Sequence, residues 1–365
     1  MGTILITTAV VTAFTGLLAL LLTIAVNTIA DYGELKIVIN DDKEYVVKGG
    51  SSLLSTLIDQ KIFIPSACGG RGTCGYCKVK VVEGGGPVLP TELPWLTEEE
   101  LKNSIRLSCQ CKVKENMKIE IPEELFNVKE YVATVELIED MTDEIKKLRL
   151  RLNEGEEIEF KPGQYIQLKI PTYEGNDEEV YRAYSIATPP SIKNYIDLYI
   201  GYTGGIATTY IHKFLKEGDK VHINGPYGHF YYHDNPDREM VLVAVGTGIA
   251  PILSILRYMR DNNIQRKATF YFGAKTPKDL FELELIEELE EDLHDFKFIP
   301  TLSRVKDEHN WAGERGRVNI ALEKYVDNGE NKEAYLCGSP GMIDSVVEVL
   351  SKKGFEEENI YYDKF

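Results

Sequence analysis

The arrangement of cysteines constrains this chain more than any other feature of its sequence. Five of the six cysteines lie between positions 68 and 111. Cys68, Cys74 and Cys77 share one short loop with the sequence CGGRGTCGYC, whereas Cys109 follows after 31 intervening residues and Cys111 lies two positions beyond it. A fold that gathers these side chains must curl the loop tightly and bring a distant segment against it.

Three kinds of site could use such a group of thiols. Disulfides would need an oxidising compartment, which does not suit the nicotinamide-type domain described below. Structural zinc accepts four thiolates but usually takes them from two short CxxC-like knuckles. Three thiolates in one loop and a fourth from far along the chain are typical of plant-type [2Fe-2S] ligation. Glycines at positions 69, 70, 72 and 75 let the loop curl and direct amide N–H groups at a cluster. We favour iron–sulfur over zinc, and zinc over disulfides.

The N-terminal segment is apolar. Residues 4–26 contain no charged side chain, and a helix of this length crosses roughly 30 Å of hydrocarbon, so a transmembrane helix is predicted. A cleaved signal peptide is less favoured because no basic residue begins the chain. A myristoylation pattern is incomplete because Ile6 stands where Ser or Thr is required. The first basic residue is Lys36, so charge alone does not orient the span.

Length and charge set the general class of the protein. The 365 residues predict two or three folded domains of roughly 100–200 residues each. The formal charge is −17 at pH 7, whereas binding to phosphate backbones needs clustered Lys and Arg. We therefore expect no nucleic-acid partner.

The pattern of segments divides the chain into four parts. After an anchor at residues 1–30, residues 34–125 predict a small β-rich domain that contains the cysteine loop. Residues 128–235 hold short alternating segments separated by turn residues, which predict a closed antiparallel barrel. Residues 238–365 alternate between strand and helix, which predicts a doubly wound α/β domain with a parallel sheet.

A tetrapeptide in the predicted barrel carries the groups that a flavin needs. It follows a predicted strand and comprises Arg182, Ala183, Tyr184 and Ser185. Together these residues supply a cation for a diphosphate, an aromatic ring for stacking and a hydroxyl for the flavin ring. A barrel strand with one exposed Arg and a core Tyr would have the same sequence, so the tetrapeptide alone decides nothing.

A second motif in the same region suits an anion. Residues 203–209, TGGIATT, open a predicted helix and include Gly204, Gly205, Thr208 and Thr209. Their amides and hydroxyls would lie at a helix N-terminus, where the peptide dipoles favour negative charge. This motif strengthens the flavin interpretation of the tetrapeptide.

Two glycine turns lie in the predicted parallel sheet. The first comprises Gly246, Thr247, Gly248 and, in the first turn of the following helix, Pro251. Its bare backbone can approach a diphosphate, although a lone Gly-x-Gly equally suits a tight strand-to-helix turn. The second comprises Cys337 and Gly338, followed by Ser-Pro, at the end of another strand. A buried structural thiol is the alternative interpretation of Cys337.

The cysteine region resembles the ferredoxin domain of the F subunits of sodium-translocating NADH:quinone oxidoreductases. Those subunits also have five residues between the first two cysteines, and RLSCQ is similar to their fourth-ligand segment. The resemblance implies a β-grasp ferredoxin domain whose [2Fe-2S] ligands are Cys68, Cys74, Cys77 and Cys109. Cys111 would share a strand face with Cys109 and stays an alternative ligand.

The other motifs resemble the ferredoxin–NADP reductase superfamily. That resemblance implies that Arg182 and Tyr184 hold FAD, that Ser185 approaches the flavin N5, and that Gly205 and Thr208 bind the pyrophosphate. It also implies that the glycine turn after position 245 binds a nicotinamide nucleotide.

The same resemblance adds expectations for the nicotinamide side. Cys337 is expected near the hydride-transfer position, and Phe365 is expected to cover the flavin ring, unless the C-terminal aromatics simply close the sheet. Ser303 and Arg304 occupy the place where NADP-using relatives bind the extra phosphate. NADH is favoured, and NADPH stays open.

The resemblance covers nearly the whole chain and implies a membrane-anchored NADH dehydrogenase. Such an enzyme would pass a hydride from NADH to FAD and then single electrons to a [2Fe-2S] cluster and on to a respiratory acceptor. Quinone would be reduced indirectly, by later carriers. Other subunits of a membrane respiratory complex are expected as partners, and the folded domains are expected on the cytoplasmic side of the inner (plasma) membrane. The alternatives are a reductase that feeds an oxygenase or hydroxylase, and a non-enzymatic, zinc-stabilised module tethered to the membrane.

Overall fold

The structure is a computed structural model that describes residues 2–29, 32–66, 68–306 and 310–364. The chain divides into two units, Met1–Val128 and Lys129–Phe365.

The first unit begins with one long helix, α1, at Gly2–Ile29. Large apolar side chains along it are exposed, among them Ile6 and Phe14. Its threonine hydroxyls bond back to the helix, as Thr12 does to the carbonyl of Thr8 at 2.9 Å. Among the residues described, no helix combines the length and apolarity that crossing a bilayer requires.

A five-stranded mixed sheet follows in the first unit. Its order is β2-β1-β5-β3-β4, in which β1 and β5 are parallel and the other neighbours are antiparallel. The strands are β1 Glu34–Ile39, β2 Lys43–Lys48, β3 Lys78–Glu83, β4 Ile105–Leu107 and β5 Met117–Glu120. The helices are α2 Leu53–Asp59 and α3 Glu98–Lys102.

Local sequence signals explain where these elements begin and end. Strands β1 and β2 form a hairpin, and its turn residues Asn40 and Asp41 have positive φ angles, which Asn and Asp tolerate better than most residues. Helix α2 is capped by Ser52, whose side chain accepts a hydrogen bond from the backbone of Ser55. The apolar faces of α2 and the sheet share a core that includes Cys77, Cys109 and Cys111.

The second unit begins with a six-stranded antiparallel sheet. Its order is β10-β7-β6-β11-β8-β9, and one helix, α4, spans Ile206–Lys213. The strands are β6 Lys129–Asp140, β7 Ile145–Leu152, β8 Tyr165–Ile170, β9 Val180–Ser185, β10 Tyr195–Gly201 and β11 Lys220–Tyr227.

This sheet curls but does not close by strand pairing, which corrects the predicted closed barrel. Strands β9 and β10 are the two edges of the sheet. Just past β9, the amide of Ala187 bonds to the carbonyl of Asp197 in β10 at 2.8 Å. Two prolines at positions 189 and 190 follow at once, and proline has no N–H to extend such a pairing. The tetrapeptide 182–185 also lies within β9, not after a strand as predicted.

The second half of this unit confirms the predicted doubly wound parallel sheet. Its order is β15-β14-β13-β12-β16-β17, with every neighbouring pair parallel. The strands are β12 Glu239–Val245, β13 Ala268–Ala274, β14 Phe296–Leu302, β15 Glu314–Arg315, β16 Lys332–Gly338 and β17 Ile360–Lys364. The helices are α5 Ile249–Asp261, α6 Leu283–Asp292, α7 Val318–Tyr325 and α8 Pro340–Lys352.

The helices cover both faces of this sheet. One apolar cluster includes residues of α5 and α6, and a second includes residues of α7 and α8. The strand order reverses between β12 and β16, so the chain leaves these two neighbours in opposite directions. Ligands of open α/β sheets bind at the carboxyl ends of the strands on either side of such a switch point. Both predicted glycine turns lie there.

Candidate functional site

The four candidate ligand cysteines form two close pairs of thiols. Cys68 and Cys74 have their sulfurs 3.4 Å apart, and the Cys77 thiol donates a hydrogen bond to Cys109. Donation lowers the pKa of the accepting Cys68 and Cys109 and raises the pKa of the donating Cys74 and Cys77. The pairs also interact electrostatically with one another. All six cysteines are free thiols.

The pairing of these thiols bears on the kind of metal centre that they could hold. In the described ranges of the chain, no three His, Cys, Asp or Glu side chains are grouped as ligands for one metal ion. Two pairs of thiols suit a binuclear cluster, because each tetrahedral iron takes two thiolates besides its bridging sulfides. The donor set therefore fits a [2Fe-2S] cluster.

The glycines of the cysteine loop are required by its geometry. Gly72 has a φ of +73°, and a Cβ atom there would lie 2.6 Å from the side-chain nitrogen of Gln110. Gly75 has a φ of +71°, and a Cβ atom there would lie 3.1 Å from the ring of Trp95. Both positions are left-handed, which favours glycine. The cysteine loop thus packs closely against the side chains of Trp95 and Gln110.

The segment that carries the fourth cysteine is a turn. Strand β4 ends at Leu107, and the amides of Gln110 and Cys111 both bond to the carbonyl of Leu107, at 2.8 and 3.1 Å. The expectation that Cys109 and Cys111 share a strand face is therefore wrong. The Cys111 sulfur lies 3.8 Å from the carbonyl of Gly85, and burial raises the pKa of its thiol to about 11. Cys109 lies beside Cys77, which supports its choice as ligand; that choice stays a prediction.

A buried ion pair, which the sequence did not reveal, holds this region together. The side chains of Glu92 and Arg106 are 0% and 6% exposed and meet at 2.6 and 2.9 Å. Arg106 also donates to three backbone carbonyls between residues 85 and 87. Glu92 accepts from the amides of Leu89 and Leu107. A fully hydrogen-bonded pair of this kind fixes the 85–92 loop against the turn that carries Cys109.

The tetrapeptide of the predicted flavin site lies in edge strand β9. Arg182 and Tyr184 alternate with Ala183 and Ser185, so the two pairs lie on opposite faces. All four are half-buried. Arg182 donates to the carbonyl of Tyr181 at 2.8 Å. Desolvation raises the pKa of Tyr184, which keeps its phenol neutral.

The predicted anion site is the start of α4. Gly205 caps this helix without a side-chain hydrogen bond, and Gly204 has a φ of +73° with nothing within 4 Å of an added Cβ atom. Helix N-termini leave their first amides without intrahelical partners, so this open end suits a phosphate group. Thr208 bonds the amide of Thr203 at 3.2 Å and thereby folds the turn. The hydroxyl of Thr209 instead bonds to Tyr202.

The two glycine turns of the parallel sheet pack on each other. A Cβ atom on Gly248 would lie 2.2 Å from the carbonyl oxygen of Cys337, and one on Gly338 would lie 2.6 Å from Val245. Gly246 has a φ of +53° and open space around it. Cys337 is wholly buried, which raises the pKa of its thiol well above the usual value. Such a thiol packs and does not act as a nucleophile.

The flavin-type and nicotinamide-type motifs approach each other in the second unit. A Cβ atom on Gly201, at the end of β10, would lie 3.4 Å from the methyl group of Thr247. The anion site at Gly205 follows Gly201 by four residues, and Thr247 belongs to the turn after β12. The geometry therefore brings the flavin-type anion motif close to the nicotinamide-type turn.

The remaining predicted residues lie at the surface or outside the described chain. Ser303 and Arg304 are exposed and follow β14, with the Ser303 hydroxyl bonded to the carbonyl of Ala274 at 3.2 Å. Phe365 lies outside the described residues. Strand β17 pairs with β16 up to Lys364, so the C-terminal aromatics Tyr361 and Tyr362 do extend the sheet.

Known protein families and individual proteins are similar to this chain over most of its length. The family described as "2Fe-2S iron-sulfur cluster binding domain" matches residues 37–114, "Oxidoreductase FAD-binding domain" matches 132–232, and "Oxidoreductase NAD-binding domain" matches 242–348. The F subunit of the Na(+)-translocating NADH-quinone reductase of Idiomarina loihiensis is 38% identical over 91% of this chain and 92% of its own. Its counterpart in Neisseria gonorrhoeae is 37% identical over 95% and 96%.

This chain belongs to the family of these F subunits. Membership confirms the resemblance drawn from the motifs and the predicted cofactors, FAD, NADH and a [2Fe-2S] cluster. The protein is an oxidoreductase that uses flavin and iron–sulfur to transfer electrons from NADH. The interpretation of its motifs as accidents in a zinc-stabilised module is wrong.

Solved structures support the same fold. A cytochrome P450 reductase from Amycolatopsis superposes with a TM-score of 0.73 at 26% identity, over 91% of this chain and 98% of its own. A ferredoxin reductase of carbazole 1,9a-dioxygenase superposes with a TM-score of 0.70 at 21% identity over the same shares. Both likenesses extend across the cysteine-containing sheet and the two sheets of the second unit.

Proposed function

We propose that this protein is the membrane-anchored electron-input subunit of a sodium-translocating NADH:quinone oxidoreductase. It takes electrons from NADH and delivers them singly to a membrane-bound acceptor, with quinone reduced further along. The approach of Gly201 to Thr247 carries the proposal, because it sets a flavin-type anion site beside a nicotinamide-type turn. The near full-length match to the F subunits of such reductases supplies the physiological context.

The residues of the second unit are proposed to bind and orient two dinucleotides. Arg182 and the amides at Gly204 and Gly205 hold the FAD diphosphate, with Thr208 and Thr209 shaping that turn. Tyr184 packs against the flavin ring, Ala183 continues the strand, and Ser185 hydrogen-bonds near N5. FAD supplies a carrier that accepts a hydride and releases electrons one at a time.

The nicotinamide nucleotide is proposed to bind at the switch point of the parallel sheet. Its diphosphate lies on the Gly246–Thr247–Gly248 turn, with Pro251 in the first turn of the helix behind it. Cys337 and Gly338 would lie beneath the nicotinamide, and Phe365 is the residue that the resemblance assigns to the flavin ring. No acid or base is needed for hydride transfer, so these residues act by positioning.

The cluster is proposed to bind Cys68 and Cys74 at one iron and Cys77 and Cys109 at the other. The two close thiol pairs support this division. The backbone of the glycine-rich loop supplies N–H groups around the sulfurs. The domain limits 34–125, 128–235 and 238–365 agree in order with the matched family regions, and the boundaries themselves remain part of the proposal.

The N-terminal segment is proposed, on the basis of its sequence, to cross the cytoplasmic (inner) membrane once, with the folded domains in the cytoplasm, where NADH is found. Residues 4–26 carry no charge, and exposed apolar side chains such as Ile6 and Phe14 need a partner. Residues 1–30 form the anchor, and the other subunits of the complex are the proposed neighbours in the membrane.

An experiment on the full chain tests the proposal. The purified, detergent-solubilised protein is expected to show flavin bands with a broad iron–sulfur shoulder, both bleached by NADH. It is also expected in the membrane fraction, from which a variant lacking residues 1–30 is released with its NADH reaction intact. A colourless protein, or one not reduced by NADH, would contradict the enzyme. Equal release of both forms would contradict the anchor.

A reductase that feeds an oxygenase is the second candidate function. The likeness to the Amycolatopsis P450 reductase favours it, because that chain also superposes over nearly its whole length. Isolation of the full chain from native membranes separates the two functions. Co-purification with integral membrane proteins that reduce quinone supports the respiratory role, and co-purification with a soluble hydroxylase supports the other.

A further inference from the structure

The side chain of Gln110 lies against the sulfur of Cys109. Its Nε2 atom is 3.5 Å from Cys109 Sγ, which suits an N–H···S hydrogen bond. Gln110 is half-buried, whereas Cys109 is 9% exposed. A donor at this position therefore reaches a sulfur that little water can reach.

The orientation of the Gln110 amide is set by Thr91. The Thr91 hydroxyl donates to Gln110 Oε1 at 2.9 Å, which leaves the NH₂ group towards the sulfur. A metal-bound thiolate has no proton and only accepts hydrogen bonds. Rotating the amide by half a turn would place its oxygen lone pairs against negative sulfur, so the observed orientation is the favoured one.

Two neighbouring features hold this arrangement in place. The loop that carries Thr91 is fixed by the next residue, Glu92, through its buried pair with Arg106. Gly72 leaves the space that the amide fills, because a Cβ atom there would lie 2.6 Å from Gln110 Nε2. Arg106, Glu92, Thr91 and Gln110 thus form a continuous path from the core of the first unit to the cysteine sulfur.

We propose that Gln110 tunes the [2Fe-2S] cluster by donating a hydrogen bond to its Cys109 ligand. The proposal rests on the cluster and the ligand set put forward above. Reduction would add one negative charge to the cluster, and an N–H donor to one of its ligand sulfurs would stabilise that charge. Hydrogen bonds to the sulfurs are among the factors that set cluster potentials. Gln110 therefore raises the reduction potential, and Thr91 is the positioning residue that aims it.

The test compares cluster potentials in matched variants of the full chain. Gln110→Met keeps the length of the side chain but removes the N–H donor, and Gln60→Met makes the same change at the end of α2. Midpoint potentials are measured by redox titration followed by electron paramagnetic resonance, with iron and sulfide content determined on the same samples. The Gln110→Met potential is expected to shift to a more negative value, and the Gln60→Met potential to match the unmodified protein.

A second variant keeps the proposal testable if Gln110→Met loses its cluster. Thr91→Val preserves shape and leaves Gln110 in place without its anchor, so a smaller shift in the same direction is expected. Unchanged potentials in every variant that retains a full cluster would overturn the role of Gln110. Absence of a cluster from the unmodified protein, or its retention in Cys109→Ala, would instead contradict the proposed ligand set.

Discussion

The cysteine region of the first unit and the switch point of the second hold their groups in opposite ways. Around the cysteines, binding depends on side-chain atoms, and a buried polar network of Thr91, Glu92, Arg106 and Gln110 aims them. At the switch point, binding depends on backbone, and the missing Cβ atoms of Gly248 and Gly338 let two turns meet. We expect the cysteine region to lose its cluster when a functional group is removed. We expect the switch point to lose activity when a Cβ atom is added to one of its glycines.

The largest effect is expected from removing one ligand sulfur. Cys109→Ala should abolish the cluster, because a [2Fe-2S] cluster needs four protein ligands. Cys111→Ala is the matched control and should retain it, since that thiol lies at the carbonyl of Gly85. Iron content and visible absorption give the readout, and flavin content should not change. The reverse pattern would make Cys111 the ligand.

Adding one methyl group at the switch point should have the next largest effect. Gly248→Ala places a Cβ atom 2.2 Å from the carbonyl oxygen of Cys337. Overpacking of this kind costs about 1–3 kcal/mol, and the displaced turn should slow flavin reduction by NADH at least tenfold, by roughly 1.4 kcal/mol in barrier. Stopped-flow absorbance measures that rate.

The matched control for that substitution is Gly341→Ala in α8, where an added Cβ atom meets nothing within 4 Å. It should leave the rate unchanged. Equal rates in Gly248→Ala and Gly341→Ala would show that the close approach of the two turns is not needed for the reaction.

Neutralising Glu92 should weaken the first unit in a pH-dependent way. Burial would raise the pKa of Glu92, but hydrogen bonds from Arg106 and two backbone amides outweigh it and hold the pKa below its usual value. The stabilisation is therefore complete above the unfolded pKa of about 4.3 and is lost as pH falls below it. Glu92→Gln should lower the free energy of unfolding by about 3–5 kcal/mol at pH 7, because it leaves the buried charge of Arg106 unpaired.

Urea unfolding of the unmodified protein and of Glu92→Gln between pH 3 and pH 7 tests this expectation. The difference in free energy of unfolding should shrink towards acid pH. Glu98→Gln, which changes an exposed carboxylate in α3, provides the control and should show little difference at any pH. A Glu92→Gln difference that is the same at all pH values would contradict the role of the ion pair.

The smallest effect is expected at Arg304. This side chain is exposed, so Arg304→Ala should change the NADH efficiency by less than about threefold. Efficiency with NADPH should fall further if, as the resemblance implies, the guanidinium binds the additional phosphate of that nucleotide. The ratio of kcat/KM values for the two nucleotides gives the measurement. An equal loss with both would show that Arg304 does not distinguish them.

The sequence predicted elements whose signals are local. The alternation of strand and helix and the glycine turns revealed the parallel sheet and both switch-point turns, since each signal depends on neighbouring residues. The closed barrel was wrong because β9 and β10, although consecutive along the chain, stay at the two edges of the sheet: two prolines follow β9 and have no N–H with which to extend a pairing with β10.

The cysteine spacing likewise predicted a cluster but not what surrounds it. Glu92 and Arg106 are 14 positions apart and are both buried, which no sequence period signals. Gln110 stood in the RLSCQ segment, but its proposed role depends on Thr91 and Gly72, which only the folded loop brings beside it. A glutamine directly after a predicted ligand cysteine was the one available hint.

Anaerobic reduction by NADH, followed by electron paramagnetic resonance, tests the central claim most directly. The full chain with at least two NADH per molecule should show bleached flavin bands and the signal of a reduced [2Fe-2S] cluster, because FAD takes two electrons and the cluster takes one. In Cys109→Ala the flavin should still bleach while the cluster signal is absent. Bleaching of the flavin in the unmodified protein without any cluster signal, although iron and sulfide are present, would contradict electron transfer from NADH through flavin to the cluster.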